Sequence, residues 1–153
     1  VFAVYGWLPN NFKWLMKKEI RRVPFVGTAC AVAGHIFIDR SNPRAALQSM
    51  EKVKKELVDG ISTVIFPEGT RTKTGEIGRF KQGAFKIAMD MELPVVPITL
   101  NGFYKAMPSG QPFANPYSHL SLHIGKPIDI SQFTDINDAM VHVREKVEQG
   151  VIK

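Results

Sequence analysis

The chain has 153 residues, of which 44% are hydrophobic and 22% charged, and a net charge of +6. That length suits one domain of about 100–200 residues with a core that needs neither disulfides nor metals, and the composition excludes a mainly disordered chain. A single cysteine, Cys30, excludes an intrachain disulfide framework and a four-cysteine zinc site, and it points to a reducing compartment.

Residues 1–8 open without Met inside an apolar run and lack the pattern of a signal peptide. They read as the middle of a helix, so we expect a piece of a longer protein. Residues 12–17 alternate loosely and predict a short strand. Residues 18–34 predict a short helix broken near Pro24, followed by small residues to Gly34. The run of 16 residues from Val23 to Ile38 is too short and too interrupted to span a bilayer. Cys30 lies among small apolar residues and is expected to be a buried, inert thiol.

Ile36-Phe37-Ile38 predicts a buried strand. Ser41-Asn42-Pro43 then starts a helix, with a polar cap and a proline suited to the first turn. Leu47, Met50, Val53 and Leu57 recur at helical spacing, and Gly60 stops the helix. Residues 63–66 predict a second buried strand, residues 67–79 a loop, and residues 80–91 a helix. Residues 95–100 predict a third strand, which Pro97 moves toward an edge or an end. A polar loop, a strand pair around residues 118–128 and a last helix capped by Asp135 follow. Apolar strands separated by amphipathic helices imply right-handed crossovers. We therefore expect one α/β domain over residues 1–153, with a mostly parallel central sheet flanked by helices.

Charge is uneven along the chain. Residues 1–40 carry six basic and two acidic side chains, and residues 71–86 carry five and one, so each block holds +4. Such blocks suit a phosphate ligand, an acidic membrane surface or nucleic acid, and equally a solvated basic face. Lys13, Lys17, Lys18, Arg21 and Arg22 lie beside Phe12 and Trp14 in sequence, a mixture that suits a lipid headgroup interface or nucleic acid.

The most informative stretch is Phe66-Pro67-Glu68-Gly69-Thr70-Arg71. It leaves the carboxyl end of a strand, where open α/β sheets bind ligands. Gly69 allows close backbone approach, Thr70 adds a hydroxyl, and Arg71 offers a fork that matches phosphate oxygens. Glu68 repels phosphate, so it orients Arg71, caps the loop, or accepts a hydrogen bond from a substrate hydroxyl. Asp39-Arg40 leaves what reads as a neighbouring strand, and parallel strands put equivalent ends on one rim. Arg40 and Arg71 are thus expected to converge on one anion, against the plainer alternative of a surface Asp39–Arg40 pair. His119 and His123 share a face without a third ligand, so no metal is expected. His35 reads as a packed, hydrogen-bonded histidine. The sequence holds no P-loop, dinucleotide-binding glycine pattern or His-Glu-x-x-His.

Three segments in order, Gly34 to Arg40, Phe66 to Arg71 and Val95-Val96-Pro97-Ile98, resemble three of the four motif blocks of the glycerolipid acyltransferases. The resemblance covers roughly residues 1–130 and is closest to the 1-acylglycerol-3-phosphate (lysophosphatidate) acyltransferases. It implies an enzyme of phospholipid biosynthesis that moves an acyl group from a thioester to the sn-2 hydroxyl of lysophosphatidate. No cofactor is implied beyond acyl-CoA or acyl-carrier protein as co-substrate. The resemblance assigns Arg40 and Arg71 to the acceptor phosphate, with Lys17 adding a charge. Glu68, Gly69 and Thr70 shape the pocket, and Val95, Val96, Pro97 and Ile98 line the acyl or thioester side. Work at the cytoplasmic face of a membrane is implied, with no nucleic acid.

The first family block, Asn-His-x4-Asp, supplies the general base, and no His-x4-Asp occurs in this sequence. Family spacing would put it upstream of Val1, which predicts a chain with an acceptor clamp, no base of its own and little or no turnover. The rival expectation is a non-catalytic α/β module that binds a lipid phosphate or another polyanion.

Overall fold

A computed structural model describes residues 2–8, 11–39, 43–57, 60–108, 115 and 117–152. The chain gathers into two compact units, one formed by Leu8–Ile65 and the other by Val1–Trp7 with Phe66–Lys153.

The first unit is built on a three-stranded parallel sheet of β1 (Phe12–Lys17), β2 (Ile36–Ile38) and β3 (Ser62–Val64), in the order β2-β1-β3. β1 is the centre, with Leu15 opposite Ile36 on one side and Trp14 opposite Val64 on the other. β1 thus has a strand on each edge, and its Trp14 is only 2% exposed. That corrects the placement of Trp14 at a lipid interface: its ring packs edge-on to Phe12 in the interior. It also corrects the adjacency of the strands that lead to Arg40 and to Phe66, because β1 lies between them.

The stretch between β1 and β2 forms a 3-10 turn (Lys18–Arg22) and helix α2 (Val26–Val32), broken around Pro24 as its ring requires. Cys30 on α2 is half-buried rather than enclosed, because α2 leaves one face uncovered. Helix α3 (Pro43–Glu56) packs on β2, and Val53 and Leu57 are buried. The caps Ser41 and Asn42, and the side chains of Leu47 and Met50, lie outside the described residues. β3 ends at Val64 and its side chains are half-buried to exposed, so the fully buried strand expected over 63–66 is shorter and wetter than its apolar run suggests.

The second unit holds α1 (Phe2–Trp7), α4 (Gln82–Asp90), β4 (Ile98–Asn101), α5 (Phe103–Ala106), β5 (Ser121–Ile124) and α6 (Ile136–Gln149). Its core is Phe80, Phe85, Ala88, Ile128, Ile130, Ala139 and Val143, where α4 meets α6. Asp135 caps α6 by accepting from Asn137 N–H. β4 is not part of the parallel sheet: it pairs antiparallel with β5, Ile98 opposite Ile124. The cause is local. Pro97 has no N–H to give a ladder, and its carbonyl instead accepts from Gly125 N–H at 2.9 Å, which holds the returning segment alongside. From the strand pair expected around 118–128 the structure builds β5 and a single bridge from Val95 to Ile128.

Candidate active site: the Glu68–Arg71 loop

Gly69 turns the chain. Its φ is +74°, a region that costs an L side chain about 1–2 kcal/mol, and its N–H donates to the Phe66 carbonyl at 3.1 Å. The loop closes where Lys81 N–H donates to the Pro67 carbonyl at 2.9 Å. Phe80, 5% exposed, anchors that return in the core.

Between these points the loop is braced by side chains. Glu68 Oε2 accepts from Gly78 N–H at 2.7 Å. Thr72 Oγ1 accepts from the N–H groups of Thr74 and Gly75 at 3.2 and 3.0 Å. Tyr104 Oη donates to the Lys73 carbonyl at 2.8 Å, and Arg144 Nη2 donates to that of Ile77 at 3.4 Å. Among the three roles open to Glu68, loop capping is the one its hydrogen bond performs.

The bracing leaves Thr70 and Arg71 exposed at the tip. Among the described residues neither has a hydrogen bond or ion pair, so the donors of the Arg71 guanidinium are unengaged. Lys81 adds a second cation that the sequence reading did not assign to the site. Its Nζ lies 3.0 Å from where a Cβ on Gly69 would be, so its ammonium stands over the loop. The available signal was positional: Phe80 is an obligate core residue, and its neighbour at the loop's return must point back out.

Val95 to Ile98 lie in the same unit as this loop. Val95 is bridged to Ile128, Val96 is exposed, Pro97 is buried and Ile98 enters β4.

The other candidates belong to the parallel-sheet unit. Lys17 ends β1 beside Ile38, exposed. Arg40 lies outside the described residues. Asp39 pairs with Lys18 at 2.6 Å, and its N–H donates to Ser49 Oγ at 3.0 Å. The chain just before Arg40 is thereby tied down by Lys18 and Ser49.

His35 is a structural histidine. Its Nδ1 accepts from Trp14 N–H at 3.4 Å, which leaves the ring proton of the neutral form on Nε2. Burial, with the nearby Lys13 charge second, lowers its pKa from 6.5. Among the described residues no group of His, Cys, Asp and Glu could hold a metal ion.

Comparison with known proteins gives this geometry a family. The family profile described as Acyltransferase matches residues 1–101, which run across both units. The chain belongs to the acyltransferase family. The chloroplastic 1-acyl-sn-glycerol-3-phosphate acyltransferase LPAT1 of Arabidopsis thaliana is 34% identical over 142 residues, 92% of this chain and 40% of that protein. The 1-acyl-sn-glycerol-3-phosphate acyltransferase of Cocos nucifera is 41% identical over 107 residues, 69% of this chain and 35% of that protein. The crystal structure of the 1-acyl-sn-glycerophosphate acyltransferase PlsC from Thermotoga maritima superposes with a TM-score of 0.77 at 24% identity. It covers 96% of this chain and 58% of PlsC, and it shows that the two share a fold. This acyltransferase chain spans about 40% and 35% of the two curated relatives.

Proposed function

We propose that this chain is part of an enzyme of phospholipid biosynthesis that transfers an acyl group from a thioester to the sn-2 hydroxyl of lysophosphatidate, giving phosphatidate. The observation that carries the reading is the Phe66–Arg71 loop, with Arg71 unengaged at its tip and Lys81 folded over Gly69. The names of the relatives support the choice of acceptor.

Acyl transfer needs a base for the hydroxyl proton, donors for the tetrahedral oxyanion and a clamp on the acceptor. This chain supplies the clamp. Arg71 takes the phosphate through paired N–H donors, and Lys81 adds a point charge. Glu68 holds the loop in shape. The stretch Val95–Ile98 is assigned to the acyl or thioester side. The donor is an acyl-CoA or an acyl-carrier protein. Both acceptor and product are lipids, so the reaction belongs at a membrane surface, on its cytoplasmic face. With no His-x4-Asp in the sequence, the chain by itself binds acceptor but lacks the base that contributes about 10²–10⁴ in rate.

The test is to offer the 153-residue chain lysophosphatidate and lysophosphatidylcholine, with and without an acyl thioester. Binding selective for lysophosphatidate, with transfer far slower than that of the Arabidopsis relative, is the expected result. Equal binding of the two lipids would refute the acceptor assignment. Transfer at the relative's rate would refute the division of labour.

A further inference from the structure

Arg71 stands between two turns that the loop makes with its own atoms. Before it, Gly69 N–H donates to the Phe66 carbonyl; after it, Thr72 Oγ1 accepts from the N–H groups of Thr74 and Gly75. Bonds internal to a loop set its local shape and leave its place on the rest of the unit open. That place is supplied by Tyr104. Its Oη donates to the Lys73 carbonyl at 2.8 Å, two residues after Arg71. A Cβ on Gly75 would stand 3.1 Å from the Tyr104 Cδ1 and 3.5 Å from its Cγ, so the loop runs directly against the ring. Gly75 does this at a φ of +90°, where an L side chain would be strained. Among the described residues, Tyr104 is the one side chain from outside the loop that hydrogen-bonds to residues 70–76.

The platform under Tyr104 is itself fixed. α5 follows β4 after the turn at Gly102. Ala106, two residues beyond Tyr104, is 6% exposed; its N–H donates to the Gly102 carbonyl at 3.0 Å and its carbonyl accepts from Asn115 N–H at 2.7 Å. On the other side Phe103 packs edge-on to Trp7, with ring centres 6.5 Å apart. The bond that Tyr104 makes is exposed, so water replaces it when it is lost and it adds little to overall stability. Its effect falls on the loop.

We propose that Tyr104 is a positioning residue for acceptor recognition: by holding Lys73 and Gly75 it keeps Arg71 presented to the acceptor phosphate. The proposal rests on the phosphate-clamp reading above and names a residue that sets its affinity without touching the ligand. The physical cause is preorganisation. A loop released from Tyr104 spends only part of its time in the shape that binds, and apparent affinity falls by that fraction.

The experiment is calorimetric titration with sn-glycerol 3-phosphate of the wild-type chain, Tyr104→Phe, Arg71→Gln and the double variant, with urea melts of each. Tyr104→Phe keeps the ring against Gly75 and removes only the hydrogen bond. It should bind about threefold or more weakly, with a urea midpoint close to that of the wild type. In the Arg71→Gln background the same change should cost less than about twofold, because the side chain it positions is already gone. Wild-type chain that does not bind sn-glycerol 3-phosphate would sink both the phosphate-clamp reading and this role. Wild type that binds and depends on Arg71, while Tyr104→Phe binds equally well, would overturn the role of Tyr104 alone. A full second loss in the Arg71→Gln background would also overturn it, since Tyr104 would then act by a route other than Arg71.

Discussion

The Glu68 carboxylate accepts a hydrogen bond from the Gly78 N–H at 2.7 Å across a ten-residue loop. A Cβ on Gly78 would stand 2.8 Å from the same oxygen, so a larger residue there would have to shift the carboxylate. A carboxylate beside the proposed phosphate site is unfavourable on charge alone, and this bond gives it a reason to be present.

Glu68→Ala leaves the Gly78 N–H without its partner and is expected to lower stability by about 1.5–3 kcal/mol, the usual range for a hydrogen bond to a charged group. Gly78→Ala pushes the same atoms apart and should cost a similar amount. The double variant should lose much less than the sum, since both break one contact. Denaturant melts of the four proteins check this, and full additivity would count against it.

Gly69→Ala meets two obstacles, a φ of +74° and the Lys81 ammonium 3.0 Å from the new methyl group. The expected stability loss is about 1–2 kcal/mol. Affinity for sn-glycerol 3-phosphate should fall with it, because the methyl displaces Lys81. Unchanged affinity in a folded Gly69→Ala protein would show that Lys81 is not part of the clamp.

His35 makes stability depend on pH in a stated direction. Its folded pKa lies below the ordinary 6.5, so on acidification the unfolded chain takes up the proton first. The His35 contribution is complete above 6.5 and is lost as pH falls through the lowered folded value. His35→Gln should therefore lose less stability than the wild type between neutral pH and pH 5. Parallel losses in urea melts would remove His35 from the account.

In the second unit's core, Ile130 is 0% exposed and packs with Phe80, Phe85 and Val143. Ile130→Ala should cost about 2–5 kcal/mol, measured by thermal unfolding. A change below about 0.5 kcal/mol would mean that this core is not formed as described.

Much of this was legible in local pattern. The strands at Phe12–Lys17 and Ile36–Ile38, the helix that Gly60 follows, and the Asp135 cap all follow from spacing and end signals that act within a few residues. What sequence could not give was partnership. Nothing within Phe12–Lys17 says that it sits between β2 and β3, or that Trp14 is buried there. Nothing within residues 95–100 says that their partner is β5 rather than the parallel sheet, since an apolar strand pairs in either direction. At the site, Gly69 and Arg71 could be read from residue type, whereas the bond of Glu68 to Gly78 and the fold of Lys81 over Gly69 depend on a loop closure between residues 67 and 81.

The central claim is that the Gly69–Arg71 loop holds a phosphate. Calorimetric titration of the chain with sn-glycerol 3-phosphate, wild type against Arg71→Gln, tests it most directly. Loss of a charge-assisted pair predicts affinity at least about tenfold weaker in the variant. Equal affinity in a folded Arg71→Gln protein would contradict the account.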